Sequence, residues 1–204
     1  MSTYNYLALG DSYTIGEGLP PEDNFPNQVV KILEEDYNIN CSKPEIIATT
    51  GWTTDELQKA IEDIKINPNF GLVTLLIGVN NQYRNRSIEN FKLEFSALLK
   101  QAIAFAGMNY KRVIVLSIPD WGHTPFAKEK GIDEQQVTNE INSFNEIIQE
   151  ITLAEGVRFL DITSLTKNMA QDINNLTQDG LHYAATVYKE WSECVAALSA
   201  SMLR

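Results

Sequence analysis

Five apolar segments, each followed by a segment with helical spacing, constrain the fold of this chain most strongly. The apolar segments span residues 4–9, 45–49, 72–77, 112–118 and 157–162. The third is an apolar run of the kind found in strands that are covered on both faces. Strands alternating with helices predict a parallel sheet, and right-handed crossovers place helices on both of its faces. We therefore expect an α/β fold, a three-layer α/β/α sandwich with a five-stranded parallel sheet, as one domain over residues 1–204.

Glycine-containing turns follow the first three predicted strands, at Gly10, Gly51 and Gly78. After the second turn, Thr53 and Glu56 have the spacing of a capping box, which predicts that a helix begins there. The carboxyl ends of parallel strands meet at one edge of the sheet, where folds of this class bind their ligands. We therefore expect these turns to lie close together.

Charge and hydropathy exclude several classes of function. The 204 residues include 16 basic and 27 acidic side chains, giving a formal charge of −11. This charge repels phosphate backbones and anionic membranes, so nucleic-acid binding is not expected. No segment approaches the roughly eighteen apolar residues of a membrane-spanning helix, so no integral membrane association is expected. No export signal is recognisable, and we expect a cytoplasmic protein, with a secreted or periplasmic parent left open.

The sequence carries no pattern typical of a metal or cofactor site. Cys41 and Cys194 lie far apart and have no metal-like spacing, and we expect two free thiols rather than a disulfide. Neither a Gly-x-Gly-x-x-Gly motif nor a phosphate-loop lysine is present. We therefore expect neither a cofactor nor a metal.

Ser12 lies where the first strand runs into a tight turn, Gly10-Asp11-Ser12. Asp and Ser are common turn formers, so the motif alone is explained by a turn or a helix cap. Backbone N–H groups also converge at such a strand end and favour negative charge. That environment suits a serine nucleophile whose reaction produces an oxyanion.

The chain has only two histidines, His123 and His182. Asp179 stands three residues before His182 with a glycine between them, so the carboxylate and the imidazole can meet within one loop. With Ser12 they form the order Ser, Asp, His, which is an accepted order for a catalytic triad. His123 lies in a Pro/Gly-containing loop with Asp120 as its only near acidic residue, and is the weaker candidate.

In four separate blocks, in the same order, the sequence resembles the SGNH hydrolases, also called the GDSL esterase/lipase family, which have a flavodoxin-like fold. The blocks are residues 10–14, Gly51 with the residues after it, residues 78–81 and residues 179–182. The resemblance implies that Ser12 is the nucleophile and that Asp179 and His182 are the acid and the base. It also implies an oxyanion hole made by the backbone N–H groups of Ser12 and Gly51 and the side-chain amide of Asn80.

Three residues depart from the family pattern. Tyr13 replaces the leucine of the GDSL motif, and Tyr183 replaces a proline that often follows the histidine. Asn81 stands where an aspartate is common, and the expected effect is looser hydrogen bonding around Asn80. None of these changes removes a group that carries chemistry.

The resemblance implies a serine esterase that acts on a small-molecule ester through an acyl-enzyme. Because no long apolar lid segment is present, short-chain acyl or acetyl esters, including acetylated saccharides, are expected rather than triglycerides. An acyltransferase and a non-catalytic carbohydrate- or acyl-binding module are the alternatives. Five residues near the predicted site are candidates for lining a substrate pocket: Tyr13, Trp52, Trp121, His123 and Phe126.

Overall fold

Five parallel strands form a single sheet in the order β2-β1-β3-β4-β5 in the computed structural model, which describes residues 3–64 and 66–203. The strands are β1 Tyr6–Gly10, β2 Glu45–Ala48, β3 Leu72–Leu76, β4 Val113–Leu116 and β5 Arg158–Leu160. The α-helices are α1 Ser12–Ile15, α2 Phe25–Tyr37, α3 Thr54–Asp63, α4 Val79–Tyr83, α5 Ile88–Phe105, α6 Pro125–Glu129, α7 Glu134–Ala154, α8 Ile162–Thr166 and α9 Ala185–Leu203. Short 3-10 turns lie at Pro21–Asp23, Tyr110–Arg112, Trp121–His123 and Ile173–Asn175.

Two groups of helices cover the sheet, and this confirms the expected α/β/α sandwich. Helix α2 packs against α9, whereas α5 packs against α3, α7 and strand β3. Strands β1, β3 and β4 are buried along their whole length, as strands covered on both faces should be. None of the described helices is long and apolar enough to cross a bilayer. Cys41 and Cys194 are both free and partly buried, which confirms the prediction of two thiols.

The register of the three central strand ends brings the predicted turns together. Gly10, the last residue of β1, is paired with Ala48 of β2 on one side and with Leu76 of β3 on the other. The turns that follow these strands therefore leave the same edge of the sheet at the same level. A Cβ on Gly10 would collide with the Leu76 carbonyl oxygen and the Thr14 side chain, so this close approach requires glycine.

The last two strands are shorter than their apolar segments predict. The segment at 157–162 forms a strand only over Arg158–Leu160, because Asp161 caps the following helix α8. Its carboxylate accepts the Ser164 N–H at 3.0 Å. The first strand also begins later than predicted, since Tyr4 makes only an isolated bridge with Cys41. The capping box at Thr53 and Glu56 is present, with the Glu56 carboxylate accepting the Thr53 N–H at 2.9 Å.

Candidate active site

Ser12, His182 and Asp179 form a continuous chain of hydrogen bonds at the carboxyl edge of the sheet. The Ser12 Oγ lies 2.9 Å from His182 Nε2, and His182 Nδ1 lies 2.6 Å from Asp179 Oδ2. The carboxylate can only accept, so Nδ1 carries the ring proton and Nε2 is left to accept the serine proton. This is the geometry of a nucleophile, a general base and a group that orients the base.

The loop that carries the Asp179 carboxylate is folded around it. Asp179 Oδ1 accepts three hydrogen bonds, from the Thr177 hydroxyl at 2.8 Å and from the N–H groups of Leu181 and His182 at 2.8 and 3.0 Å. Partial burial raises the pKa of Asp179, but the hydrogen bonds from the His182 ring and these neighbours outweigh it and lower the pKa to about 2. Asp179 is therefore ionised at every pH at which an imidazole can act as a base.

Three residues that carry N–H groups suited to binding an oxyanion lie around the space in front of Ser12. Ser12, Gly51 and Asn80 all line one cavity, and none of the hydrogen bonds among the described residues uses the Ser12 or Gly51 N–H. Gly51 has φ of +82°, a left-handed backbone conformation that favours glycine. Asn80 Nδ2 donates one proton to the Trp52 carbonyl at 3.0 Å, which leaves its second proton free.

The cavity in front of Ser12 has a volume of about 180 Å³ and mainly apolar walls. Tyr13, Trp121 and Phe126, three of the five candidates, line it. Among the described residues, Trp52 and His123 do not. Four further residues line the cavity and were not predicted from the sequence: Thr50, Val79, Tyr83 and Leu181. Three of the four, Thr50, Val79 and Leu181, are next to motif residues in the sequence. This proximity is the one sequence feature from which they could have been predicted.

Trp121 is fixed in this wall by a relay of hydrogen bonds from its ring. Its indole Nε1 donates to Gln82 Oε1 at 2.8 Å, and Gln82 Nε2 donates to Glu140 at 2.7 Å. The ring also stands edge-on to Tyr83, with ring centroids 5.3 Å apart. The aromatic wall is therefore held in place by helix α7 rather than by its own loop alone.

His123 lies behind this wall, in a polar cluster of its own. Its Nε2 is 3.2 Å from Asp120 Oδ2 and 3.2 Å from the Thr138 hydroxyl. Its Nδ1 is 2.8 Å from Glu134 Oε1, close enough for electrostatic attraction but outside hydrogen-bond geometry. Asp120 is thus not its only acidic neighbour, since Glu134 of helix α7 also reaches it. These contacts attach the loop at 119–124 to helix α7.

Both tyrosines that depart from the family pattern are buried close to His182. The Tyr13 ring lies 5.1 Å from the His182 ring and 6.1 Å from the Tyr183 ring, centroid to centroid. Tyr183 in turn stands edge-on to Trp191 of helix α9 at 5.4 Å. Packing against this helix thus supports the loop that carries His182.

Asp11, next to Ser12, is a buried carboxyl group. Its Oδ1 accepts the Tyr13 N–H at 3.0 Å, whereas its Oδ2 has no partner among the described residues. Burial raises the pKa of Asp11 to about 7, although the hydrogen bond from Tyr13 acts in the opposite direction. An unfolded chain would release this proton near pH 4. The folded protein therefore loses stability as the pH rises from about 4 to 7.

We expect Asp11→Asn to remove this pH-dependent loss of stability. The asparagine side-chain oxygen can still accept the Tyr13 N–H, and the amide cannot ionise. Near pH 4 the variant and parent should melt at similar temperatures. At pH 8 the variant should be more stable by on the order of 1–4 kcal/mol, or several degrees in Tm. Thermal melts at pH 4.5, 6, 7 and 8 measure this, with the exposed Asp36→Asn as a matched control. A difference in Tm that does not change with pH would contradict the assignment.

No group of three or more His, Cys, Asp or Glu side chains among residues 3–64 and 66–203 is arranged to hold a metal ion.

Comparison with known proteins identifies the family. The sequence profile of the GDSL-like lipase/acylhydrolase family matches residues 8–189, whereas no curated protein matches. Among solved structures, a lipase/acylhydrolase from Enterococcus faecalis is 18% identical with a TM-score of 0.73, over 100% of this chain and 98% of that one. The esterase EstA from Pseudoalteromonas sp. is 14% identical with a TM-score of 0.67, over 96% and 93%.

A third similar structure is a variant of Axe2, an acetyl-xylooligosaccharide esterase from Geobacillus. It is 15% identical with a TM-score of 0.70, over 96% of this chain and 94% of that one. At such identities the structural similarity supports the fold alone. The family is identified by the profile match over most of the chain. The chain belongs to the GDSL-like lipase/acylhydrolase family and is a carboxylic ester hydrolase.

Proposed function

We propose that this chain is a serine esterase that hydrolyses esters of short apolar acyl groups through an acyl-enzyme on Ser12. The observation that carries the proposal is the hydrogen-bonded chain from Ser12 through His182 to Asp179, which opens into an apolar cavity. A binding module would have no need of a base aligned on a serine hydroxyl at 2.9 Å.

In the first step, Ser12 Oγ forms a bond to the ester carbonyl carbon and its proton passes to His182 Nε2. The π electrons of the carbonyl move to its oxygen, and the oxyanion is bound by the N–H groups of Ser12 and Gly51 and by the free N–H of Asn80. One such donor typically contributes about 3–4 kcal/mol to lowering the barrier. The Asp179 carboxylate stabilises the imidazolium that forms.

The carbon–oxygen bond to the alcohol then breaks, and the proton on His182 Nε2 passes to the leaving oxygen. Water next attacks the acyl-enzyme and gives a proton to Nε2. When the bond to Ser12 Oγ breaks, that proton returns to the serine, and the acid leaves. The base is therefore used twice and is regenerated in each cycle.

The shape of the cavity supports short apolar acyl groups. A cavity of ~150 Å³ with apolar walls is large enough to hold benzene, so about 180 Å³ accommodates a chain of roughly four to six carbons. Its walls carry the rings of Tyr83, Trp121 and Phe126. An acetyl group would fill only part of this cavity and would bury less apolar surface than a butanoyl or hexanoyl group.

A panel of p-nitrophenyl esters from acetyl to octanoyl, together with an acetylated xylo-oligosaccharide, tests the proposal. We expect kcat/KM to be highest for butanoyl or hexanoyl esters, and roughly ten-fold lower for octanoyl, because longer chains exceed the cavity. The acetylated saccharide should be a poorer substrate than p-nitrophenyl butanoate. It is included because the similar Axe2 structure is that of an acetyl-xylooligosaccharide esterase.

Three results would count against this account. The highest kcat/KM on the saccharide would overturn the apolar assignment of the cavity. No turnover of any ester by the folded protein would favour a binding module. Transfer of the acyl group to an added alcohol in preference to water would favour an acyltransferase.

A further inference from the structure

A buried polar network connects the residue after Asn80 to the loop that carries Gly51. Asn81 is fully buried, and its Oδ1 accepts the N–H of Thr54 at 3.1 Å. Its Nδ2 donates to the Thr54 hydroxyl oxygen at 2.7 Å. Asn81 therefore does not loosen the surroundings of Asn80, as its departure from the family pattern led us to expect, but fixes Thr54 with two hydrogen bonds.

The direction of these bonds depends on a second residue, Glu94 of helix α5. The Thr54 hydroxyl donates its only proton to Glu94 Oε2, so its oxygen must accept from Asn81. Arg86 lies near this carboxylate, with its Nη2 4.0 Å from Glu94 Oε1, and pairs with Asp55 at 2.8 Å. The two side-chain hydrogen bonds therefore point in one direction: Asn81 donates to Thr54, and Thr54 donates to Glu94.

The turn that ends at Thr54 carries one of the three proposed oxyanion donors, Gly51, and holds a second, Asn80. Thr54 begins helix α3 and ends the turn that contains Gly51. Within this turn, the Trp52 carbonyl holds the amide of Asn80, and the Gly51 carbonyl accepts from Arg84 Nη2 at 2.5 Å. Any movement of Thr54 relative to Asn81 would therefore change the distance between the Gly51 N–H and the Asn80 amide.

We propose that Asn81 is a positioning residue that sets the spacing of the Gly51 and Asn80 donors, and that Glu94 makes asparagine, rather than aspartate, necessary at this position. The proposal rests on the proposed function, since it assigns those two groups to the oxyanion. An aspartate here would place a second carboxylate against a hydroxyl whose one proton already goes to Glu94. A buried acceptor would then lack a donor, and the turn would shift to relieve the contact.

Replacing Glu94 by glutamine reverses the order of the protons. In the Asn81→Asp/Glu94→Gln double variant, the glutamine Nε2 can donate to the Thr54 oxygen. The hydroxyl is then free to donate to the aspartate. The double variant therefore restores a complete network, in which both bonds of the Thr54 hydroxyl are reversed and the Thr54 N–H still donates to the side chain at position 81.

The test measures kcat and KM on p-nitrophenyl butanoate, with Tm recorded for each variant. For Asn81→Asp we expect kcat to fall about 10- to 100-fold, as for a displacement of catalytic groups by a fraction of an ångström to one ångström. KM should change by less than about three-fold, because the oxyanion forms only in the transition state. Glu94→Gln added to Asn81→Asp should restore kcat to within about three-fold of the parent.

Matched variants distinguish an effect of lost positioning on kcat from an effect of added charge or of misfolding. Asn90→Asp makes the same change at an exposed position at the start of helix α5, and should leave kcat unchanged. If Asn81→Asp does not fold, Thr54→Val replaces it, since valine keeps the shape of threonine and removes the hydroxyl that joins the two side chains. Its kcat should fall about ten-fold or more.

Two results would overturn the inference. The first is a folded Asn81→Asp or Thr54→Val protein with the kcat of the parent, whatever its Tm. The second is a double variant whose kcat is no higher than that of Asn81→Asp. By contrast, a parent whose turnover does not depend on Ser12 would overturn the proposed function itself, and this is measured separately with Ser12→Ala.

Discussion

Alanine in place of Ser12 is expected to lower kcat by on the order of 10⁴- to 10⁶-fold, with little change in Tm. In the proposed mechanism, the variant lacks the atom that bonds to the acyl carbon, so no acyl-enzyme can form. Slow hydrolysis by water held in front of the three N–H donors is the activity that should remain. Ser12 is buried, and its hydroxyl bonds only to His182 among the described residues, so the fold should tolerate its loss.

Initial rates on p-nitrophenyl butanoate measure this loss, and covalent trapping locates the nucleophile. An alkyl phosphonate ester should inactivate the parent and add one phosphonyl group, which peptide mapping should place on Ser12. The reagent class suits the test because a structure of the similar EstA is described as inhibited by monoethylphosphonate. Ser143→Ala, at an exposed position of helix α7, is the matched control. A Ser12→Ala protein that keeps more than about a hundredth of the parental rate would contradict the assignment.

The strands and the meeting of their turns could be predicted because both depend on local patterns. Apolar runs of about five residues separated by amphipathic helices leave few alternatives to a parallel sheet. Once the sheet is parallel, Gly10, Gly51 and Gly78 must follow strand ends at one edge. The pairing of Asp179 with His182 is local as well, since three residues separate them. The strand ends were less predictable, because side chains such as Asp161 start a helix inside an apolar segment.

The cavity walls and the supporting contacts could not be predicted, because they join residues that are distant in sequence. Glu134 meets His123, and Glu140 fixes Trp121 through Gln82, only because helix α7 packs beside that loop. The bond from Thr54 to Glu94 likewise joins residues 40 positions apart. No periodicity or motif records such pairs. The apparent departure at Asn81 could therefore be explained only with its three-dimensional partners in view.

Asparagine in place of Asp179 is expected to lower kcat by on the order of 10³- to 10⁴-fold at pH 7. The reason is that the His182 ring proton would move from Nδ1 to Nε2. The three donors around Oδ1 require an oxygen at that site, so the new amide nitrogen must take the place of Oδ2. There it would donate to His182 Nδ1 instead of accepting from it. The ring proton would then reside on Nε2, which could no longer take the proton of Ser12.

Rates across pH 5–9 distinguish this mechanism from simple loss of a charge. Ionisation of Asp179 should not affect the rate between pH 5 and 9, because its pKa is lowered to about 2. The stability that the ionised carboxylate contributes is lost only as the pH falls from about 4 to 2. Thr177→Ala, which removes one donor to Oδ1 and leaves Oδ2 accepting from His182, should lower kcat by less than about five-fold. An Asp179→Asn protein within ten-fold of the parent at pH 7 would show that the carboxylate does not set the ring proton of His182.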